Sequence, residues 1–177
     1  AGLRNDDARR IRHQASTPTE YDLVNPFAFE PPVAPHVAAE KAGMDILFAP
    51  ILESFRELSG RSDLVVVEGV GGWRVPLGSD GAVSDLAATL GLPVVLVVGI
   101  KLGCINHALL TAESIMSGGL RLAGWVANTV DPEMLEPEAS IATLEREIAA
   151  PCLGVIPCMR QITAQAVAER LQLPGPV

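Results

Sequence analysis

Four short apolar runs, residues 64–67, 94–98, 122–127 and 153–156, carry enough β-branched side chains to predict strands buried on both faces. Patterns of helical period lie around them at 83–90, 104–116, 138–148 and 164–171. Strands alternating with helices define an α/β fold with a parallel sheet. In the segment 138–148, Ile141, Leu144 and Ile148 share one face, while Glu145 and Glu147 lie off it. Ser117-Gly118-Gly119 predicts the end of the helix before it. Upstream, residues 44–58 set Leu47, Phe48, Ile51, Leu52, Phe55 and Leu58 at helical spacing, a stripe that core packing explains. Residues 17–35, with Pro26, Pro31, Pro32 and Pro35, predict an extended surface loop. A polar, helix-like segment precedes that loop.

Length and composition fit one ordinary domain: 177 residues, 49% hydrophobic and 19% charged. A net charge of −8 with no basic run argues against a nucleic-acid surface, so an anionic substrate needs a local positive site. No apolar run approaches the ~18 residues that would span a membrane, and the polar N-terminus is unlike a signal peptide. The cytoplasm is the default location. Cys104, Cys152 and Cys158 lack metal-site or paired spacing, and His13, His36 and His107 are scattered singly.

Candidate chemistry gathers where the predicted strands end. Ligands of open parallel sheets bind beyond the carboxyl ends of the strands, and the four runs finish in Glu68, Gly99-Ile100-Lys101, Asn128 and Pro157. A carboxylate is costly inside a core, so Glu68 should face a cleft, a metal or a partner; a tight turn with a solvated glutamate is the alternative. The glycines Gly69, Gly71 and Gly72 suit a sharp turn or a close ligand. Lys101 beside the start of a helix carrying Asn106 and His107 makes an anion site, or else a solvated loop residue and a helix initiator. Asp6 and Asp7 are first-turn acids, or one of them joins Glu68 on a divalent cation. Asn128 reads a base or sugar, or forms a turn.

Several strings in combination resemble the ATP-dependent dethiobiotin synthetase family. They are Gly2-Leu-Arg-Asn-Asp-Asp-Ala8, Asn25-Pro-Phe-Ala-Phe29, Pro35-His-Val-Ala-Ala39, Val67-Glu-Gly-Val-Gly-Gly-Trp73, Val98-Gly-Ile-Lys-Leu-Gly-Cys-Ile-Asn-His107 and Gly124-Trp-Val-Ala-Asn128. The resemblance implies a P-loop NTPase-like α/β fold, a homodimer, and closure of a cyclic urea from 7,8-diaminononanoate and carbon dioxide with ATP and magnesium. It implies Asp7 and Glu68 as magnesium ligands, and Asp7, Glu68, Gly69, Val70 and Gly71 at the nucleotide. Asn128, Thr129, Pro157, Cys158 and Met159 would surround the adenine. Gly71, Gly72, Lys101, Leu102, Gly103, Cys104 and Asn106 would meet the other substrate, the last five at the dimer interface.

One departure limits the likeness. The family's phosphate loop, G-x-x-x-x-G-K-[ST], and its catalytic lysine have no counterpart in these 177 residues. The expectation is therefore a C-terminal portion of a longer enzyme, without the first strand and helix of the fold and inactive by itself. Residues 160–166 also lack the acidic residue that the family places beyond the adenine loop. Two other readings stay open: a related P-loop amidoligase or partition-type ATPase, and a non-catalytic dimerisation or ligand-binding module.

Overall fold

The computed structural model describes residues 3–175, which fall into two compact units divided between Leu90 and Gly91. The first unit holds α1 (Asp6–Gln14), α2 (Tyr21–Val24), α3 (Pro35–Lys41), α4 (Phe48–Ser59), the strands β1 (Pro76–Gly78) and β2 (Gly81–Ala82), and α5 (Val83–Leu90). α1 starts at Asn5, whose side chain accepts from the backbone N–H groups of Asp7 and Ala8. Acids in its first turn and Arg12 and His13 in its last complement the helix dipole.

The core of this unit is built from Ala39, Ile46, Phe48 and Leu77, with Phe27, Phe29, Ile51, Leu52, Val83 and Leu86 packed against it. Of the apolar stripe of 44–58, Phe48, Ile51 and Leu52 thus go to the core, and the helix begins only at Phe48. Leu47 serves as its N-cap and is 42% exposed. It has no side chain able to cap, and Asp80 of the β1–β2 turn substitutes, accepting the Phe48 N–H at 2.7 Å. Asp45 grips the same turn: its Oδ1 accepts the Ser79 N–H at 3.0 Å, and its Oδ2 accepts the Ser79 hydroxyl. The Ser79 hydroxyl first, then the N–H groups of Ser79 and Ile46, hold the Asp45 carboxyl below the usual carboxylate range. Gly78 fits this clasp because a Cβ there would overlap Asp45 Oδ1 and lie 2.7 Å from the Ile46 carbonyl oxygen.

Two expectations for this unit are corrected. Residues 17–35 are not loop throughout, since α2 and the first residue of α3 interrupt them; Pro35 occupies an opening position of α3, where its missing N–H costs nothing. Residues 64–67 form no strand. Leu64 and Val66 are 73% and 81% exposed. A strand exists only where a neighbour completes its backbone ladder, and neither sheet includes these residues.

The second unit is a parallel sheet in the order β3 (Val94–Ile100), β4 (Leu122–Thr129), β5 (Cys152–Ile156), with α6 (Cys104–Ser117), α7 (Pro137–Glu147) and α8 (Ala164–Ala168). The last three predicted strands and the helix–strand alternation are all present. Central β4 is buried from Leu122 to Ala127, as a strand covered on both faces should be. β3 differs: Val98 and Ile100 are buried while Val95 and Val97 are exposed, which its uniformly apolar sequence did not announce. α6 ends at Gly118, whose N–H bonds to the Ser114 carbonyl at 3.1 Å, matching the predicted stop. α8 is shorter than 164–171: Thr163 caps its start, the chain turns at Glu169, and Leu171 instead bridges Gly154 on β5. The Gln172 N–H then bonds to the Leu153 carbonyl at 2.7 Å.

Candidate nucleotide and substrate site

Strand register decides which candidate residues share an edge in the second unit. Gly99 pairs with Asn128, Ile100 with Thr129, and Asn128 with Ile156. Lys101, the pair Asn128–Thr129, and the run Pro157-Cys158-Met159 therefore leave the sheet side by side at its carboxyl edge. Asn128 and Thr129 are half-buried, and no hydrogen bond engages the amide or the hydroxyl among the described residues. Both are free to meet a ligand.

The strand-to-helix turn beside them is built from Lys101, Leu102 and Gly103. The Cys104 N–H bonds to the Lys101 carbonyl at 3.0 Å, and Gly103, at φ 89°, is the N-cap of α6. With glycine at that position no side chain caps the helix, and beyond the bonded Cys104 N–H the Ile105 and Asn106 N–H groups have no hydrogen-bond acceptor among the described residues and can meet an anion. Lys101 is exposed and has no ion-pair partner among the described residues. Leu102 is 93% exposed, Asn106 and His107 are exposed, and Cys104 is turned into the core at 4% exposure. Gly103, not Asn106, starts the helix.

In the first unit the other candidates sit on α1 and on the segment after residue 67. Of the two aspartates, Asp6 is engaged by Arg9, its Oδ1 accepting from the guanidinium at 3.3 Å. Asp7 is exposed, and its carboxylate has no partner among the described residues. Glu68 is likewise exposed and unpaired, outside any helix or strand rather than at a strand end. The glycines that follow have separate duties. Gly71 and Gly72 take φ 73° and 124°, values that other residues rarely adopt, and the Val75 N–H closes their turn on the Gly72 carbonyl. Gly69 lies against α5: a Cβ there would come 3.2 Å from Val83 Cγ1. Val70 is exposed. The loop is moored by the Val83 N–H on the Val75 carbonyl and the Ser84 N–H on the Trp73 carbonyl, each at 2.9 Å.

One cluster near Asp7 was not predicted, although Arg4, Asn5 and Asn25 lie in strings quoted above. Tyr21, Asn5 and Asn25 meet through hydrogen bonds, with Arg4 stacked on the tyrosine ring. The separations of sixteen and four residues follow no motif. An open hollow on the same helix is lined by Arg9, Arg10, Arg12 and His13 together with Asp6 and Glu20; of the candidate residues it includes Asp6 alone.

An α/β unit with polar side chains and an uncapped helix start at the carboxyl edge of a parallel sheet defines a nucleotide-binding class of protein. The family described as AAA domain matches residues 1–166, and the fold is P-loop NTPase-like. The ATP-dependent dethiobiotin synthetase BioD of Pseudomonas aeruginosa strain UCBPP-PA14 is 53% identical, over 97% of this chain and 76% of its own length. The protein of that name from Aromatoleum aromaticum is 49% identical over 97% and 76%. That from Chromohalobacter salexigens is 45% identical over 98% and 79%. The chain belongs to the ATP-dependent dethiobiotin synthetase family. No helix among the described residues is long and apolar enough to cross a membrane.

Proposed function

We propose that the protein is a ligase of biotin synthesis that closes the ring of dethiobiotin from 7,8-diaminononanoate, carbon dioxide and ATP. The observation that carries this reading is 53% identity over 97% of the chain to a relative of that name. In the reaction one substrate amine adds to carbon dioxide as a carbamate. The carbamate oxygen takes the γ-phosphoryl group, releasing ADP, and the second amine then closes the urea as phosphate leaves. Such chemistry asks a protein mainly to position reactants and neutralise charge.

The residues divide that work by place. Asn128 and Thr129, with Pro157, Cys158 and Met159, receive the adenine: the free amide and hydroxyl give direction, and the exposed Pro157 and Cys158 with the half-buried Met159 give a surface. The start of α6, with Lys101, Leu102, Gly103, Cys104 and Asn106, receives the carboxylate tail of the diamine, in a homodimer where the substrate belongs mostly to the other subunit. Glu68 to Gly71 lie along the phosphates, and Gly71 and Gly72 turn the chain where the diamine passes.

Magnesium fits the remaining pair. Asp7 and Glu68 are both exposed and uncommitted, and one or two carboxylates completed by phosphate oxygens and water make up its usual donor set. When bound, it supplies charge neutralisation on the transferring phosphoryl group. Solubility in the cytoplasm accords with these small polar substrates.

Mass spectrometry of reactions of the natural polypeptide with the diamine, bicarbonate, magnesium and ATP tests the reading. Dethiobiotin with stoichiometric ADP is the expected result. Binding of the diamine carboxylate with no ATP consumed would instead identify a non-catalytic binding module.

A further inference from the structure

Tyr21 is only 5% exposed, yet its hydroxyl oxygen accepts two hydrogen bonds. The phenolic oxygen accepts the backbone N–H of Asn5 at 2.7 Å and Nδ2 of Asn25 at 3.2 Å. The Arg4 guanidinium lies 5.0 Å from the ring centroid. Packing alone would be served as well by phenylalanine. What the hydroxyl adds is a fixed point for Asn5.

Asn5 passes that constraint to α1. While its N–H is held by Tyr21, its Oδ1 accepts from the N–H groups of Asp7 at 2.8 Å and Ala8 at 3.1 Å. Anchored at both ends, Asn5 is held in extended geometry at φ −81° and ψ 138°. The direction in which the first turn of α1 leaves Asn5 follows from that. Asp6, on the same turn, is drawn toward Arg9, which leaves Asp7 as the uncommitted carboxylate. A side chain that must meet a cation in one geometry benefits from a backbone already set.

We propose that Tyr21 is a positioning residue for the divalent-cation site: through Asn5 it sets the first turn of α1 and thereby aims Asp7. This rests on the reading of Asp7 as a metal ligand given above. The signal is an arrangement of groups on α2 and at the ends of α1 and α2 that no linear motif encodes.

Four variants of the natural polypeptide test it: Tyr21→Phe, Asn5→Ala, Asn5→Ser and Asp7→Asn. Electron paramagnetic resonance titration with Mn2+ in the presence of ATP gives cation affinity, and hydrogen exchange followed by NMR reports the Asp7 and Ala8 amides. Tyr21→Phe keeps the ring and the Arg4 stack and removes only the anchor. The expected result is faster exchange at both amides and about 10-fold weaker Mn2+ binding, the scale on which outer-shell partners act. Asn5→Ala should behave alike and Asn5→Ser, which still caps, should recover most of the loss. In the assay, half-maximal rate should need more magnesium while kcat at saturating magnesium is retained.

If Asp7→Asn weakens Mn2+ binding and Tyr21→Phe does not, positioning by Tyr21 is overturned while the metal role of Asp7 stands. Weaker binding in Tyr21→Phe with unchanged amide exchange also overturns it, because the effect then bypasses the cap. Unchanged binding in Asp7→Asn removes the metal role and the proposal together.

Discussion

Asp80→Ala is the perturbation whose cost can be worked most directly from the structure. The Asp80 carboxylate accepts the Phe48 N–H at 2.7 Å, across 32 residues of chain, and α4 has no other side-chain cap. Loss of an N-cap acceptor typically costs about 1 kcal/mol, and loss of a negative charge at a helix N-terminus adds about 0.3–1 kcal/mol. Phe48 is 8% exposed and belongs to the core cluster. Fraying of the first turn would therefore expose an anchoring side chain, and the expected total is about 1–2 kcal/mol. Asp80→Asn keeps an acceptor and loses only the charge, so it should cost about 0.5 kcal/mol. Urea denaturation measures both, with a lower midpoint and unchanged slope. For a chain of this size the melting temperature should fall by roughly 2–4 °C per kcal/mol. A cost for Asp80→Ala within about 0.3 kcal/mol of zero, below the range for a lost cap, would refute the long-range cap. Equal losses in the two variants would refute the hydrogen bond as its main source.

Three further outcomes follow from the same structure. Gly78→Ala should destabilise by about 1–3 kcal/mol in calorimetry, because a Cβ would overlap Asp45 Oδ1 and lie 2.7 Å from the Ile46 carbonyl oxygen; a neutral result would mean the clasp at Asp45 is loose. Asp45 has a folded-state pKa below its ordinary value through its bonds to Ser79, so its stabilising contribution is present above pH ~3.9 and is lost as pH falls through the folded value. NMR titration should show Asp45 moving up toward ~3.9 in Ser79→Ala, and an unshifted parent residue would contradict the assignment. Lys101→Met should raise KM for the diamine carboxylate about 10-fold, the scale of one charge-assisted bond, while leaving KM for ATP unchanged; equal effects on both substrates would remove Lys101 from the carboxylate subsite.

What was legible beforehand divides along the distance over which each element is determined. α5 is present over the predicted 83–90, and α6 has its start and its glycine stop where periodicity put them. The three sheet strands were readable because apolar runs between helices of opposite patterning leave little choice. α3 was missed because four prolines read as an extended loop, although Pro35 belongs to the first turn of a helix. Among the candidate residues of each unit, the free Lys101 in the second and the engaged Asp6 and capped first turn of α1 in the first are contact facts. Sequence showed the residue types but not their partners.

Residues 64–67 make the same division from the opposite side. By composition Leu64-Val65-Val66-Val67 is as good a strand as β3, and local propensity alone cannot separate them. The difference is pairing: Val94 to Ile100 find partners from Leu122 to Thr129, while Val66 is 81% exposed and takes no part in either sheet. β-propensity describes a side chain that fits a pleated, half-buried surface, and the surface has to be supplied by other segments. Glu68 shows what this does to a site argument. Glu68 does not lie beyond the carboxyl end of a strand, yet its chemistry still marks it. It is an exposed, unpaired carboxylate leading into a turn that needs glycine at positive φ, and the loop after it is moored to α5 by Ser84 on Trp73 and Val83 on Val75. A residue can thus be well chosen for its chemistry and misplaced in its architecture. Chemistry is carried by the side chain itself, whereas a strand is a property of at least two segments.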